Sequence, residues 1–268
     1  MITILHVAGL ATVQDLGRPG FMHMGVPVGG ALSPELSARA NAAAGNHAGE
    51  ATIELIGAIT LRADTPTLVA TDDGHARQLA QAETFTLPSS PQLRYIAVRG
   101  GIDVPVVLGA RATLLIAALG GHHGRVLRKD DALPIGDASP RKGDLPDAPH
   151  LTEPVHVIEG PDVAQFPGGL AELTGMTWRI GTRRDRAGVQ LAGSQVRRVT
   201  SSIEAPSAPM VRGAIQVPPN GEPIVLGPDH PTTGGYPVIA IIASAHLGSF
   251  FARSTGAVLR FTPLPSAR

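Results

Sequence analysis

Six groups of residues in this 268-residue chain combine side-chain chemistry with backbone features able to hold it in place. Arg18 lies in Gln14-Asp15-Leu16-Gly17-Arg18-Pro19-Gly20, which puts a guanidinium on a rigid turn suited to an anion. Thr232, Thr233, Gly234 and Gly235 offer two hydroxyls and closely approachable backbone amides, the makings of an anion-binding nest. Gln216 supplies a carboxamide, Asp229 a carboxylate able to act as a base or bridge a metal, and Tyr236 a ring and a hydroxyl. Arg183-Arg184-Asp185-Arg186 concentrates charge just before Gly188. Plainer readings stand beside these. Arg18 can pair with Asp15 to hold its own loop, Gln216 can knit backbone, and Asp185 among arginines can be a local ion pair of little energetic weight.

Short β-like runs must carry these groups. They fall at 2–7, 52–56, 59–62, 67–70, 85–87 and 93–98, then at 155–158, 177–180, 214–217, 223–226, 237–243 and 258–261, with turn residues between them. The spacing suggests barrels or sandwiches and argues against βαβ units. One helix is well marked over Pro34–Ala44, with Ser33 as N-cap, Pro34 at the first position and Gly45 to close it. Leu247, Phe250 and Phe251 suggest a second short helix, and 163–173 a broken third. The chain reads as mainly β with a few short helices, in two strand-rich halves. The expected domains are 1–140 and 155–268, joined by a polar, Pro-rich linker over 141–154.

Composition narrows the function. Lys+Arg and Asp+Glu both number 22, so the long-range field of a nucleic-acid or anionic-membrane binder is missing. There is no cysteine, which excludes disulfides, thiolate catalysis and Cys-bound metal. Gly and Pro together make about a fifth of the chain against roughly an eighth in average usage, which implies many tight turns. No signal-like or membrane-spanning run is visible, and a cytoplasmic protein with neither nucleic-acid nor membrane partner is expected. P-loop, GxGxxG, GxSxG and HExxH motifs are absent. His122-His123 is read as a glycine-flanked turn, and no metal site is expected there.

Three blocks together carry a resemblance. They are residues 12–31 around Arg18, residues 98–113 with Gly100-Gly101-Ile102-Asp103-Val104-Pro105, and residues 213–237 from Gly213-Ala214-Ile215-Gln216-Val217-Pro218 to Thr232-Thr233-Gly234-Gly235-Tyr236-Pro237. In this order, and over nearly the whole chain, they closely resemble one family. It takes in the C-type component of 5-oxoprolinase, the second component of allophanate hydrolase and biotin-dependent carboxyltransferase-like proteins. The resemblance implies a cyclophilin-like β-barrel architecture. It also implies a heteromer with B-type and A-type 5-oxoprolinase subunits that opens 5-oxo-L-proline to L-glutamate with ATP and Mg2+, the nucleotide held here or by a partner. As an ATP-dependent lactam hydrolase, such a site needs groups for phosphate and an arginine for the substrate carboxylate. Asp185, Arg186 and Gly188 match a family block, which adds Asp185 and Arg186 to the substrate- or anion-binding set. Asp229 and Gln216 become the catalytic candidates, with Gln216 facing a lactam or ureido group.

Departures accompany the match. A family glutamate falls where Ser207-Ala208-Pro209 stands, a family arginine is Gln190, and the stretch between Ala70 and Leu93 is short. Two alternatives therefore stay open. One is a biotin-dependent carboxyltransferase acting on a urea-like acceptor. The other is a non-catalytic regulatory partner of the B-type subunit.

Overall fold

The computed structural model describes residues 1–137, 145–152, 154–198 and 206–265. Of the stretch read as a linker, 141–144 and 153 lie outside them. Two compact units emerge: Met1–Pro19 with Val28–Pro149, and Gly20–Pro27 with His150–Arg268. Among the described residues, no helix is long and apolar enough to cross a membrane.

The first unit is a six-stranded sheet covered by one helix. Its strands are β1 (Ile2–Gln14), β2 (Thr52–Ala63), β3 (Thr67–Thr71), β4 (Ala76–Leu79), β5 (Thr84–Val98) and β6 (Ala132–Leu133), in the spatial order β4-β3-β5-β2-β1-β6. Helix α1 (Pro34–Ala44) packs on β5 and β3 and starts as expected. Ser33 Oγ accepts the Leu36 N–H at 3.4 Å, and Gly45 closes the helix at φ 74°. Ile4, Val13, Ile53, Leu55, Leu61, Val69, Ile96 and Val98, all fully buried, form the core under the sheet.

The runs read as strands are present in this unit, but their lengths differ from the reading. The runs at 52–56 and 59–62 are one strand, and so are 85–87 and 93–98. The reason lies at Gly9 and Gly57, which face each other across β1 and β2 at φ 105° and 132°. A Cβ on Gly57 would stand 1.9 Å from the Ala8 carbonyl oxygen, so only glycine lets the two backbones kink together without breaking the ladder. The stretch 72–83, between the runs read at 67–70 and 85–87, contains β4, whose first three residues are exposed and give no apolar signal.

The second unit is built on an eight-stranded sheet, ordered β15-β8-β9-β12-β11-β14-β7-β16. The strands are β7 (Val155–Glu159), β8 (Trp178–Arg184), β9 (Gly188–Ala192), β11 (Ala214–Gln216), β12 (Ile224–Leu226), β14 (Val238–Ile242), β15 (Val258–Leu259) and β16 (Phe261–Pro263). A separate ribbon pairs β10 (Ala208–Pro209) with β13 (Thr233–Gly234). Helices α2 (Ala171–Thr174) and α3 (Ser244–Phe251) complete it, and the broken helix over 163–173 resolves into a 3-10 turn at Val163–Gln165 followed by α2. Trp178, Phe250, Phe251 and Phe261 are the large buried side chains here. The sheets curl into a half-barrel and a nearly closed barrel, so the mainly β, cyclophilin-like architecture is present.

Candidate functional site: a carboxamide-lined hollow in the second unit

Strand register creates the site. Gln216 on β11 pairs with Ile224 on β12, and Ile224 pairs with Gln190 on β9. Directly paired residues share a sheet face, so Gln216, Ile224 and Gln190 form one row, its two ends roughly 10 Å apart at about 4.8 Å per strand. Two residues along the same face come Leu226 on β12 and Gly188 on β9. This face is one wall of a hollow of about 620 Å³. Pro218, Asn220, Arg183, Arg184, Pro231 and Tyr236 are among the other residues that line it. Its walls thus carry three carboxamides between apolar patches.

The Gln216 amide is held in place. Its Nε2 donates to Met210 Sδ at 3.3 Å and to the Tyr236 carbonyl at 3.2 Å. A Cβ on Gly234 would stand 2.7 Å from that nitrogen, so the glycine provides the space the amide occupies. Both amide protons are engaged, while Oε1 accepts nothing among the described residues and is available to a ligand N–H. Gln190 is set similarly: its Nε2 donates to Glu222 Oε2, which also accepts Asn220 Nδ2 at 2.9 Å. Asn220 Oδ1 in turn accepts the Glu222 N–H at 3.2 Å. The hollow therefore presents carboxamide oxygens from opposite ends of one row.

The charged residues around it are largely committed to the fold. Arg186 and Asp229 form a two-point pair, Nε to Oδ2 at 2.8 Å and Nη2 to Oδ1 at 3.0 Å, with side chains only 4% and 7% exposed. Such a bidentate grip makes Asp229 an anchor for the 185–188 turn; its lone pairs already face a cation. Asp185 Oδ1 accepts the N–H groups of Ala187 and Gly188 at 2.8 and 3.0 Å, closing the β8–β9 turn at the lip of the hollow. Arg184 donates to the Arg253 and Phe251 carbonyls at 2.6 and 3.1 Å, tying β8 to the end of α3, and burial lowers its pKa. Arg183 is exposed at the rim. His230 is buried, burial pushes its imidazole below the usual range, and its Nδ1 lies 2.7 Å from the Pro231 carbonyl that it holds.

Of the residues singled out from sequence, Asp185, Gln216 and Tyr236 line the hollow, and Arg186 with Asp229 braces the turn beneath it. Thr232, Thr233, Gly234 and Gly235 run between its lining residues Pro231 and Tyr236, as part of the β10–β13 ribbon. A nest needs left-handed backbone, and neither Gly234 nor Gly235 has positive φ, so this segment does not form a phosphate cradle. Among the described residues no three His, Asp or Glu side chains gather as metal ligands.

Arg18 belongs to the first unit, where it is fully buried. Its Nε donates to the Val107 carbonyl at 3.4 Å, its Nη2 to the Ala112 carbonyl, and its backbone N–H to Val28 at 2.7 Å. Arg18→Met, which keeps the apolar stem and removes the donors, is expected to destabilise the chain by about 1–3 kcal/mol, measured by urea denaturation. An unchanged midpoint would show those carbonyl bonds to be unimportant. Sequence reasoning passed over Asn220 and Glu222, took Arg183 only as part of a charged run, and noted Gln190 only as a substitution. Gln190 owes its place to strand register, which no local motif reports.

Residues 24–263 match the family described as carboxyltransferase domain, subdomains A and B. The chain is 33% identical to the C-type component of 5-oxoprolinase from Escherichia coli strain K12, across 92% of its own length and 86% of that protein. It is 25% identical to the urea amidolyase of Lachancea kluyveri over 94% of its length, which is 16% of that relative. In structure it superposes on the Kluyveromyces lactis urea amidolyase with a TM-score of 0.82 at 25% identity, covering 98% of this chain and 19% of the other. The urea carboxylase of the same yeast gives 0.83 at 25% identity, over 98% and 27%. The chain thus corresponds to a small part of the yeast enzymes and to most of the bacterial protein.

Proposed function

The chain belongs to the carboxyltransferase-domain family, subdomains A and B, and from that premise we propose that its second-unit hollow binds an uncharged N–C(=O) group. The physiological role we infer is that of a 5-oxoprolinase component. With A- and B-type partners it takes part in the ATP-dependent opening of 5-oxo-L-proline to L-glutamate. The observation that carries this reading is the Gln216–Ile224–Gln190 row with Asn220 beside it. A lactam presents an N–H and a carbonyl side by side, and carboxamides match that pattern without the desolvation cost of charge. The Ile224, Leu226 and Pro218 walls suit the ring methylenes, and Arg183 at the rim suits the carboxylate. Arg184 and Arg186 are engaged within the fold, which supports assigning ATP and its Mg2+ to a partner subunit.

A second reading rests on the same row. A ureido group also pairs with carboxamides, and the resemblance to yeast urea amidolyase favours a carboxyltransferase domain that receives a biotin ring from a separate carrier.

The test is glutamate formation from 5-oxoproline and ATP by the cognate A-type and B-type partners, with and without this chain. Dependence on the chain supports the 5-oxoprolinase reading, and equal rates overturn it. Turnover that instead requires a biotinylated carrier and urea would transfer the assignment to the second reading.

A further inference from the structure

The first unit holds a cavity of its own, about 390 Å³, walled by Val104, Pro105, Val107, Leu119 and Pro134. Residues 120–124 form its remaining side, and they are held rigidly. Gly120, Gly121, His123 and Gly124 sit at φ 63°, 53°, 57° and 67°. A Cβ on the three glycines would lie 2.1 Å from the Ala112 oxygen, 1.9 Å from Thr113 Oγ1 and 2.0 Å from the Ala118 oxygen. His123 takes the left-handed conformation without being glycine, a strain more common at binding sites than elsewhere.

His122 lines this cavity and has an oriented ring. Its Nε2 lies 3.4 Å from Asp131 Oδ1, and its side chain is 15% exposed. Asp131 is itself fixed by Arg125, Nη1 to Oδ2 at 2.8 Å and Nη2 to Oδ1 at 2.7 Å, and by the Arg128 N–H at 2.7 Å. The carboxylate's charge is thereby met by Arg125, so nothing compels the imidazole to ionise. Burial, with Arg125 and His123 nearby, outweighs Asp131 and keeps His122 below its ordinary range. With its proton on Nε2 toward Asp131, the ring has Nδ1 left as an acceptor. His123 stands edge-on at 4.3 Å between ring centres.

We propose that this cavity binds a small, flat, uncharged ring carrying a single O–H or N–H donor, which hydrogen-bonds Nδ1 of His122. Apolar walls with one placed polar group describe a small-molecule site, and the faces of Pro105 and Pro134 suit a flat ring. An ion is disfavoured because the neighbouring guanidinium and carboxylate already satisfy each other.

Phenol is the probe and anisole, which lacks the donor, its control, each titrated into the full chain and followed by calorimetry and ligand-observed NMR. Phenol is expected to bind about tenfold more tightly than anisole, the factor that corresponds to one modest hydrogen bond. His122→Phe, checked for folding by circular dichroism, should erase the phenol advantage and leave anisole unchanged. The advantage should also fade as pH falls through the imidazole pKa, because protonation removes the acceptor. Failure of phenol to bind, equal affinity for phenol and anisole, or a phenol advantage that survives His122→Phe would each overturn the proposal. The phenol–anisole comparison on the unaltered chain holds even if the variant misfolds. It also involves only first-unit residues, so its outcome is separate from that of the lactam reading.

Discussion

Arg186→Ala is expected to cost the second unit about 3–5 kcal/mol, because it removes the two-point cationic partner of a buried carboxylate, Asp229. The side-chain pair is reinforced by backbone: the Asp229 N–H donates to the Arg186 carbonyl at 3.0 Å, and the Gly227 N–H to Ala187 at 2.8 Å. Together these clasp the 185–188 turn to the loop that delivers Pro231 to the hollow. The only tryptophan, Trp178, is fully buried in this unit, so its fluorescence during urea unfolding reports the second unit selectively. That matters because a two-unit chain need not unfold in one step. Asp229→Ala should cost a comparable amount by removing the two-point acceptor of the buried Arg186 guanidinium. The double variant Arg186→Met with Asp229→Leu should recover much of the loss, since both members of the buried pair are then replaced by apolar groups of similar size. Single-variant losses below about 1 kcal/mol would mean that water reaches the pair and that it does little to hold the turn.

Gln216→Leu is expected to lower kcat/KM for 5-oxoproline in the reconstituted enzyme by about ten- to hundredfold, with little effect on stability. The substitution removes the Oε1 acceptor, and one lost hydrogen bond in a desolvated site is worth about 1.4–2.8 kcal/mol, which corresponds to that range. Leucine is close in volume to the amide, and the bonds it forfeits inside the protein are a weak one to Met210 Sδ and one to the Tyr236 carbonyl. Trp178-monitored unfolding separates a collapsed site from a lost contact. A kcat/KM within twofold of the unaltered enzyme, in a variant of normal stability, would show that Gln216 knits backbone and nothing more.

Local signals were legible in the sequence, and long-range ones were not. Helix α1 could be read to the residue, because Ser33, Pro34 and Gly45 encode its two ends within a dozen positions. Most strands could be located but not measured, and β4 and β9 lay outside the runs read from sequence. Gly57 looks like a break, and only its pairing with Gly9, 48 positions away, turns it into a tolerated kink. The same contrast governs the site. Gln216 and Tyr236 stood out because glycines and prolines surround them, and Asp185 because its charged run matches a family block. Gln190 did not, since its importance comes from sharing a row with Gln216 through Ile224, and that register is a property of three strands at once. Arginines were the least legible. Arg18, with carbonyls for partners, and Arg186, with a buried carboxylate, look in sequence like any guanidinium waiting for an anion.

The central claim is that the carboxamide row recognises an N–H beside a carbonyl, and γ-butyrolactam against γ-butyrolactone tests it most directly. The two rings match in size and differ in the N–H. Titrated calorimetrically into the full chain, the lactam should bind at least about tenfold more tightly, as expected when a site built for an N–H meets an analogue lacking it. That preference should vanish in Gln216→Leu. Equal binding of lactam and lactone, or a lactam preference untouched by the substitution, would contradict the account.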